Sequence, residues 1–278
     1  MSASAPLRSE IFAGNRAVGH VALAVDASSS VSRRRRVHEA GSLRVRFPNA
    51  ERPDTLDAVI VNTAGGMTGG DKFGIDIAVG AGAGLSVTTA AAEKIYRSLT
   101  PDTEIAIKLE VDGDGRLAWL PQETILFDQV RLRRAIDVEL SRDAQLLLAE
   151  AVVFGRAAMG EAVASGRLVD RWRVKRDGRL LFAETIRLDG AIAQQLARPA
   201  IAASRVAVAT VLKIPGGEAD VTAVRALADS FRGDVAASAW NGQAVVRFVA
   251  RDSAALRQDL MAVLTALNPL PLPRLWLN

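Results

Sequence analysis

The fold is decided by one stretch, Gly65-Gly66-Met67-Thr68-Gly69-Gly70-Asp71-Lys72-Phe73-Gly74-Ile75-Asp76-Ile77-Ala78-Val79. In its second half, from Phe73 to Val79, apolar side chains recur at every other position, which predicts a half-buried β-strand. The first half places two Gly-Gly pairs before that strand. Glycine reaches positive φ without steric penalty and lets another chain segment come close. The stretch therefore predicts a strand preceded by a tight, closely packed loop.

The same two-residue period recurs from about residue 18 to residue 190. It is clear in Ile105–Val111 and in Ile136–Leu140, and a two-residue turn at Asp177-Gly178 predicts a hairpin. Many short strands in succession, with no helices between them, favour a sandwich or a stacked array of strands over βαβ units.

The pattern changes after Pro199. The spacing of the apolar residues in Val221–Leu227 predicts one helix, and Ser253 is a candidate cap for a second helix, Ala254–Leu267. Between them, Asn241-Gly242 predicts a hairpin turn. The chain is therefore expected to be mainly β with two α-helices in its C-terminal third.

The domain prediction follows from this change. We expect a single chain of 278 residues with a β body over residues 18–198. An α+β segment over residues 199–278 is expected to pack on that body or to continue it.

The composition excludes several classes of protein. The chain has no cysteine, so it forms no disulfide and no thiolate metal site, and its two histidines, His20 and His38, lie 18 positions apart. We therefore expect no tight His/Cys metal centre. No apolar run reaches the length of a signal peptide or of a membrane span. The sequence predicts a cytoplasmic protein that does not enter a membrane.

The net charge of +4 and the isoelectric point near 9.9 raise nucleic acid as a partner. The one dense basic run, Arg33–Arg36, has no aromatic residues interleaved to stack on bases and belongs to no nucleic-acid-binding motif. We predict a solvated turn there, before a strand at Leu43–Phe47, and no nucleic-acid partner.

The glycine loop superficially copies the spacing of a phosphate-binding P-loop. Asp71 stands where that motif needs its lysine, and Lys72 is followed by Phe73 instead of a hydroxyl residue. An enzyme that binds a small molecule or a phosphate through residues 65–71 remains the alternative interpretation of this loop.

Three carboxylates lie on the apolar side of predicted strands: Asp71, Glu150 and Glu184. A buried carboxylate needs a cation, hydrogen-bond donors or water, because its transfer out of water is costly. One interpretation is an ion pair with Arg97, Arg156 or another arginine. The other is a polar path through the β body, along which a cation could pass by oxygen ligands.

Five segments together resemble the UreD (UreH) family of urease accessory proteins. They span nearly the whole chain and occur in the family's order, and the most specific are the glycine loop, Trp-Leu-Pro-Gln-Glu and Gly-Arg-x-x-x-Gly-Glu. In this sequence the segments are Gly65–Asp71, Thr88–Ser98, Trp119–Glu123, Glu150–Glu161 and Pro273–Leu277.

The resemblance implies a non-enzymatic scaffold with a β-helix-like array of strands and two helices. It implies the partners UreF, UreG and the urease apoenzyme, and it implies Ni²⁺ in transit with no tightly bound cofactor. It places Asp71, Glu150 and Glu184 on the proposed nickel route. Lys72 departs from members that carry a second acid there, which puts direct cation contact at that point in doubt.

The resemblance also implies partner or structural roles for a set of motif residues. These are Gly65, Gly66, Gly69, Gly70, Lys94, Tyr96, Arg97, Gln122, Glu123, Gly155, Arg156, Gly160 and Glu161.

Overall fold

The structure, a computed structural model, describes residues 15–49, 52–156, 159–268 and 272–277. Within these ranges most of the chain is strand. The strands are β1 Val18–Ser28, β2 Val31–Gly41, β3 Leu43–Arg46, β4 Leu56–Asn62, β5 Lys72–Val79, β6 Gly84–Thr89, β7 Glu93–Ile95, β8 Thr103–Val111, β9 Arg116–Trp119, β10 Thr124–Leu126, β11 Val130–Leu140, β12 Gln145–Phe154, β13 Gly166–Arg176, β14 Arg179–Gly190, β15 Ala207–Ile214, β16 Asp234–Trp240 and β17 Gln243–Ala250.

Helices occupy only the last third of the described chain, as predicted. They are α1 Ile192–Leu196, α2 Glu218–Arg225 and α3 Ser253–Leu267, with short 3₁₀ turns at Ala228–Ser230 and Arg274–Trp276. The two helices expected from the sequence are α2 and α3. The five-residue α1 is an addition that the sequence pattern did not indicate.

The strands form two stacked sheets. The first sheet has the order β14-β13-β11-β8-β5-β1-β2, and the second has the order β16-β17-β15-β12-β9-β6-β4-β3, with β10 and β7 attached beside β12. From β4 to β13 the chain passes back and forth between the sheets, so neighbouring central strands in each sheet run parallel. This is the β-helix-like array that the resemblance implies.

Strand alternation builds two apolar layers. One fills the space between the two sheets, and the other lies on the outer face of the second sheet, beneath α2 and α3. In β12, Leu146 and Leu148 point into the first layer and Leu147 and Ala149 into the second. Because both faces of this strand are covered, it reads as a continuous apolar run in the sequence.

The C-terminal segment extends the second sheet. Strand β15 pairs antiparallel with β12, β17 pairs with β15, and β16 pairs with β17 through the predicted turn at Asn241-Gly242. In the described part of the chain, the strands after residue 199 therefore share hydrogen bonds with the β body.

Two local predictions were wrong. The basic run Arg33–Arg36 lies within β2, an edge strand paired with β1, and not in a turn. Its arginines are exposed, and an edge strand accepts charges because they oppose pairing with other chains. Helix α3 begins at Ser253, but its cap is Asp252, whose carboxylate accepts a hydrogen bond from the Ala255 amide at 2.8 Å.

None of the helices in the described ranges is both long enough and apolar enough to cross a bilayer.

Arg257 of α3 clamps the end of the chain against the second sheet. Its guanidinium donates hydrogen bonds to Gln122 Oε1 at 2.7 Å and Glu123 Oε1 at 3.2 Å, and to the carbonyls of Leu275 and Trp276. The Trp276 indole, fully buried, donates to the carbonyl of Leu120 at 3.0 Å. Gln122 and Glu123 therefore join the Trp-Leu-Pro-Gln-Glu segment to the closing segment.

We predict that Arg257→Ala lowers the free energy of unfolding by about 2–3 kcal/mol, because it leaves the buried Glu123 carboxylate and the Trp276 carbonyl without this donor. Urea denaturation measures the change. The matched control is Arg225→Ala, an exposed arginine on α2, which should change stability by less than about 0.5 kcal/mol. Equal effects of the two substitutions would contradict the clamp.

Candidate functional site

The glycine loop is closely packed by the chain's own residues. A Cβ on Gly66 would lie 2.5 Å from the Tyr96 ring, and one on Gly69 would lie 1.8 Å from Ser98 Oγ and 2.4 Å from the carbonyl oxygen of Pro101. The Tyr96 hydroxyl also donates to the carbonyl of Gly65 at 3.3 Å. The glycines are therefore required by close approach of the segment that follows β7.

Asp71 is the last residue of this loop, directly before β5. Its two carboxylate oxygens accept hydrogen bonds from the backbone amides of Ala17 at 2.9 Å and Thr68 at 2.8 Å. The side chain is buried, and these two amides supply the donors that a buried carboxylate needs. Asp71 thus binds one amide of the glycine loop and one amide of the segment before β1.

The Gly-Arg-x-x-x-Gly-Glu segment lies at the same end of the molecule. Arg156 pairs with Glu161 at 2.5 Å and lies 4.2 Å over the Phe127 ring, which in turn meets the Tyr96 ring edge-on at 4.8 Å. Gly155, at φ +91°, leaves room for the carbonyl of Glu161. The motif residues gathered at this end are Gly65, Gly66, Gly69, Gly70, Lys94, Tyr96, Arg97, Gly155, Arg156, Gly160 and Glu161.

The centre of the molecule holds a buried charged cluster, which we call the central cluster. The Arg134 guanidinium of β11 donates two hydrogen bonds to Asp170 of β13, at 3.0 and 2.5 Å, and a third to Glu150 of β12. Trp119 Nε1 donates to Glu150 at 2.8 Å, and Trp172 Nε1 donates to Asp170 at 3.2 Å. Because β12 belongs to the second sheet and the other two strands to the first, the cluster ties the sheets together across the core.

Charge is unevenly balanced in the central cluster, because it holds two carboxyl groups and one guanidinium. Burial alone would lower the pKa of Arg134, but the charges of Asp170 and Glu150 outweigh it and raise that pKa above its ordinary value. Burial raises the pKa of Glu150, Arg134 opposes this effect, and Asp170 adds to it. The site therefore favours bound positive charge.

Polar side chains continue from the central cluster toward one edge of the sheets. Thr210 of β15 lies opposite Glu150 in the strand register, and Arg247 of β17 lies opposite Thr210. Arg247 donates to both carboxylate oxygens of Glu184 on β14, at 2.6 and 2.9 Å, and lies 3.4 Å from Thr210 Oγ1. Side-chain exposure falls from 51% at Arg247 to 13% at Glu184, and to 4% at Glu150.

Polar side chains also continue in the other direction. Arg134 Nη1 lies 3.3 Å from Thr124 Oγ1 of β10, and Thr124 is the register partner of Glu93 on β7. Asn62 donates to Glu93 at 3.0 Å, and Asn62 also accepts from the Ala64 amide at the start of the glycine loop. Burial raises the pKa of Glu93, and the hydrogen bond from Asn62 opposes the rise.

These residues form a polar row between the sheets, in which members are joined by hydrogen bonds or, at the steps Thr210–Glu150 and Thr124–Glu93, are register partners on neighbouring strands. From the edge to the glycine loop the polar row consists of Glu184, Arg247, Thr210, Glu150, Arg134, Asp170, Thr124, Glu93 and Asn62. The structure thus brings together two of the three acids singled out in the sequence, Glu150 and Glu184. It places Asp71 apart from them, in its own backbone cradle.

Glu150 and Glu184 are each paired with an arginine, as one interpretation of the sequence expected, but neither partner is Arg97 or Arg156. Glu150 binds Arg134 and Glu184 binds Arg247, whereas Arg156 binds Glu161. Arg134 lies between Leu132 and Ile136 on the interior face of β11. The alternation of side chains that placed the three acids on the apolar side of their strands would therefore have placed this arginine there as well.

The two histidines meet on the outer face of the first sheet. Their ring centroids lie 5.8 Å apart, and His20 Nε2 lies 2.9 Å from Asp76 Oδ2. No group of three or more His, Cys, Asp and Glu side chains in the described ranges is arranged to hold a metal ion.

Comparisons with known proteins relate the chain to one family. The family described as "UreD urease accessory protein" matches residues 17–277. The chain is 57% identical over 270 residues to urease accessory protein UreD of Rhodopseudomonas palustris strain BisA53, covering 97% of this chain and 94% of that one. It is 52% identical over 278 residues to urease accessory protein UreD of Bradyrhizobium diazoefficiens, covering all of both chains.

The raised pKa of Glu93 predicts a pH dependence. The folded chain binds this proton more tightly than the unfolded chain, so stability should fall as pH rises from the ordinary value of 4.5 through the raised pKa. Glu93→Gln keeps the acceptor for Asn62 without the charge. It should be more stable than the parent at neutral pH, by about 1.4 kcal/mol for each unit by which burial raises the pKa.

Urea denaturation across this pH range tests the prediction, with Glu110→Gln on the exposed face of β8 as the control. If the parent and Glu93→Gln show the same pH profile, Glu93 is not a buried, proton-binding group.

Proposed function

Because the chain belongs to the UreD family of urease accessory proteins, we propose that it is a maturation chaperone whose scaffold delivers Ni²⁺ to apo-urease. The family is one of accessory proteins and not of enzymes, and its membership assigns this chain a role in urease maturation. The alternative of an enzyme using loop 65–71 has no support from these relatives, and the loop amides of Met67, Thr68 and Gly70 already donate to groups of this chain.

The polar row is the observation that carries the nickel proposal. A stable core gains nothing from a line of buried charged and hydroxyl groups, because each must be taken out of water and paired. A line that runs from a half-exposed arginine to a nearly inaccessible carboxylate offers a cation successive oxygen ligands. We interpret the row as the internal route, with Glu184 near its outer end and Glu150 at its centre.

The oxygen ligands of the polar row suit the passage of Ni²⁺. Carboxylate and hydroxyl oxygens bind a borderline cation such as Ni²⁺ more weakly than imidazole or thiolate groups. The row contains no histidine, and the chain contains no cysteine. Metal is therefore expected to pass along it without a resident, tightly held ion.

Asp71 has a different position in this proposal. Both of its oxygens already accept a hydrogen bond from a backbone amide, so nickel there would have to compete with these two donors. We retain Asp71 as a candidate, with its present contacts favouring a role in shaping the loop.

Partner contacts are proposed for the end that carries the motif residues. Tyr96, Leu99 and Met159 are exposed there, and large exposed apolar side chains near one another are typical of protein-binding surfaces. UreF, UreG and the urease apoenzyme are the proposed partners, in a cytoplasmic complex. No nucleic-acid or membrane partner is proposed.

We predict that Glu150→Gln and Glu184→Gln lower the nickel content of urease severalfold when they replace the parent chain in cells, because each removes a charged ligand from the row. The matched control is Asp137→Asn, which removes an arginine-paired carboxylate from the outer face of the first sheet. Nickel per urease active site, measured by atomic absorption, is the readout.

Thermal melts and co-purification with UreF and UreG separate transport from folding and assembly. Variants that melt normally, assemble normally and still deliver full nickel would refute the route through the row.

A further inference from the structure

The guanidinium of Arg134 stands where a metal ion on this route would have to bind. It contacts the carboxylates of Glu150 and Asp170 and the Thr124 hydroxyl, which are the oxygen ligands that this part of the row would offer. A guanidinium and a divalent cation cannot share these oxygens at the same time. Arg134 therefore occupies the row at its most buried point.

We propose that Arg134 is an internal gate, whose guanidinium holds a divalent-cation site at Glu150 and Asp170 closed until it moves away. The inference rests on the proposed function, because it assigns a control element to the same route. In the closed state the arginine acts as a tethered substitute for the cation. The free protein is then insensitive to nickel, and the site becomes available only on displacement of the side chain.

The charges support a latent site. Two carboxyl groups face one guanidinium, so removal of Arg134 leaves two buried carboxyl groups with two indole donors and a hydroxyl. Such a set of oxygens without a counter-ion attracts a divalent cation, which carries the charge that both carboxylates need.

The structure also offers Arg134 a second position. Thr124, which one guanidinium nitrogen already approaches, is the register partner of Glu93, so Glu93 lies one strand further along, at about 4.8 Å between strands. Glu93 is hydrogen-bonded to neutral Asn62. A guanidinium that rotates past Thr124 toward Glu93 would release Glu150 while keeping a carboxylate partner.

Thermal melting of the purified full chain with and without NiCl₂ tests the gate. The parent should shift by less than about 1 °C. Arg134→Gln should melt lower than the parent without metal and rise by about 4 °C or more at nickel concentrations roughly 100-fold above its dissociation constant. The triple variant Arg134→Gln/Glu150→Gln/Asp170→Asn should lose that rise.

If Arg134→Gln does not fold, a second variant, whose central cluster keeps the parent's net charge, tests the gate. Arg134→Gln/Asp170→Asn removes one charge of each sign, so its cluster has the same net charge as the parent cluster. It keeps the Glu150 carboxylate and an amide oxygen at position 170 as ligands, so it should gain a nickel-dependent rise smaller than that of Arg134→Gln, and adding Glu150→Gln should abolish it. Arg171→Gln, which removes an arginine from the outer face, is the control and should respond to nickel as the parent does.

The outcomes separate the gate from the proposed function. No nickel-dependent rise in either folded Arg134 variant, or a rise that persists without Glu150, overturns the gate even if Glu150→Gln lowers the nickel content of urease. Conversely, a rise that requires Glu150, together with normal nickel delivery by Glu150→Gln, supports a cation site that Arg134 closes but places the transport route elsewhere.

Discussion

The ion bridge from Arg134 to Glu150 and Asp170 is the constraint on which the interior depends. It joins a strand of the second sheet to two adjacent strands of the first, and its groups are almost wholly buried. Removing one side of such a bridge typically costs about 3–5 kcal/mol, because it leaves an unpaired buried charge. Burying these charges also costs desolvation that a purely apolar core would avoid, so the position of the bridge requires an explanation beyond stability.

The surroundings of the bridge supply that explanation. Each of its carboxylates receives an indole hydrogen bond, and polar residues continue from it in both directions between the sheets. Buried apolar residues of both sheets surround it. The stacked architecture thus supports one polar line inside an apolar layer, and the maturation role proposed for the chain depends on that line.

The sequence predicted the strands better than it predicted which residues pair across the core. Alternation in β5, β8 and β11 was sufficient to predict the strands, and it placed Glu150 and Glu184 correctly on the interior face, since side-chain direction follows directly from the two-residue period. Alternation does not give the register between strands far apart in sequence. Arg134 and Arg247 were therefore not recognised as the partners of Glu150 and Glu184.

Two further features needed the tertiary structure. The basic run in β2 has no apolar alternation to mark it as a strand, because an edge strand with exposed faces carries no such signal. The two histidines lie 18 positions apart, and only the pairing of β1 with β2 brings them together. Glycines 66 and 69 were expected to admit a close neighbour, and the neighbours proved to be Tyr96 and Ser98.

A cysteine at position 210 tests most directly whether the polar row carries metal. The chain has no cysteine, so Thr210→Cys introduces its only thiol between Arg247 and Glu150, and Val211→Cys places a thiol on the opposite face, beneath α3, as the control. The measurement is nickel delivery to apo-urease by the accessory complex after reaction with a small charged methanethiosulfonate. The account predicts that the thiol at position 210 reacts and that delivery falls, while Val211→Cys retains delivery. Complete modification at position 210 with undiminished delivery would contradict it.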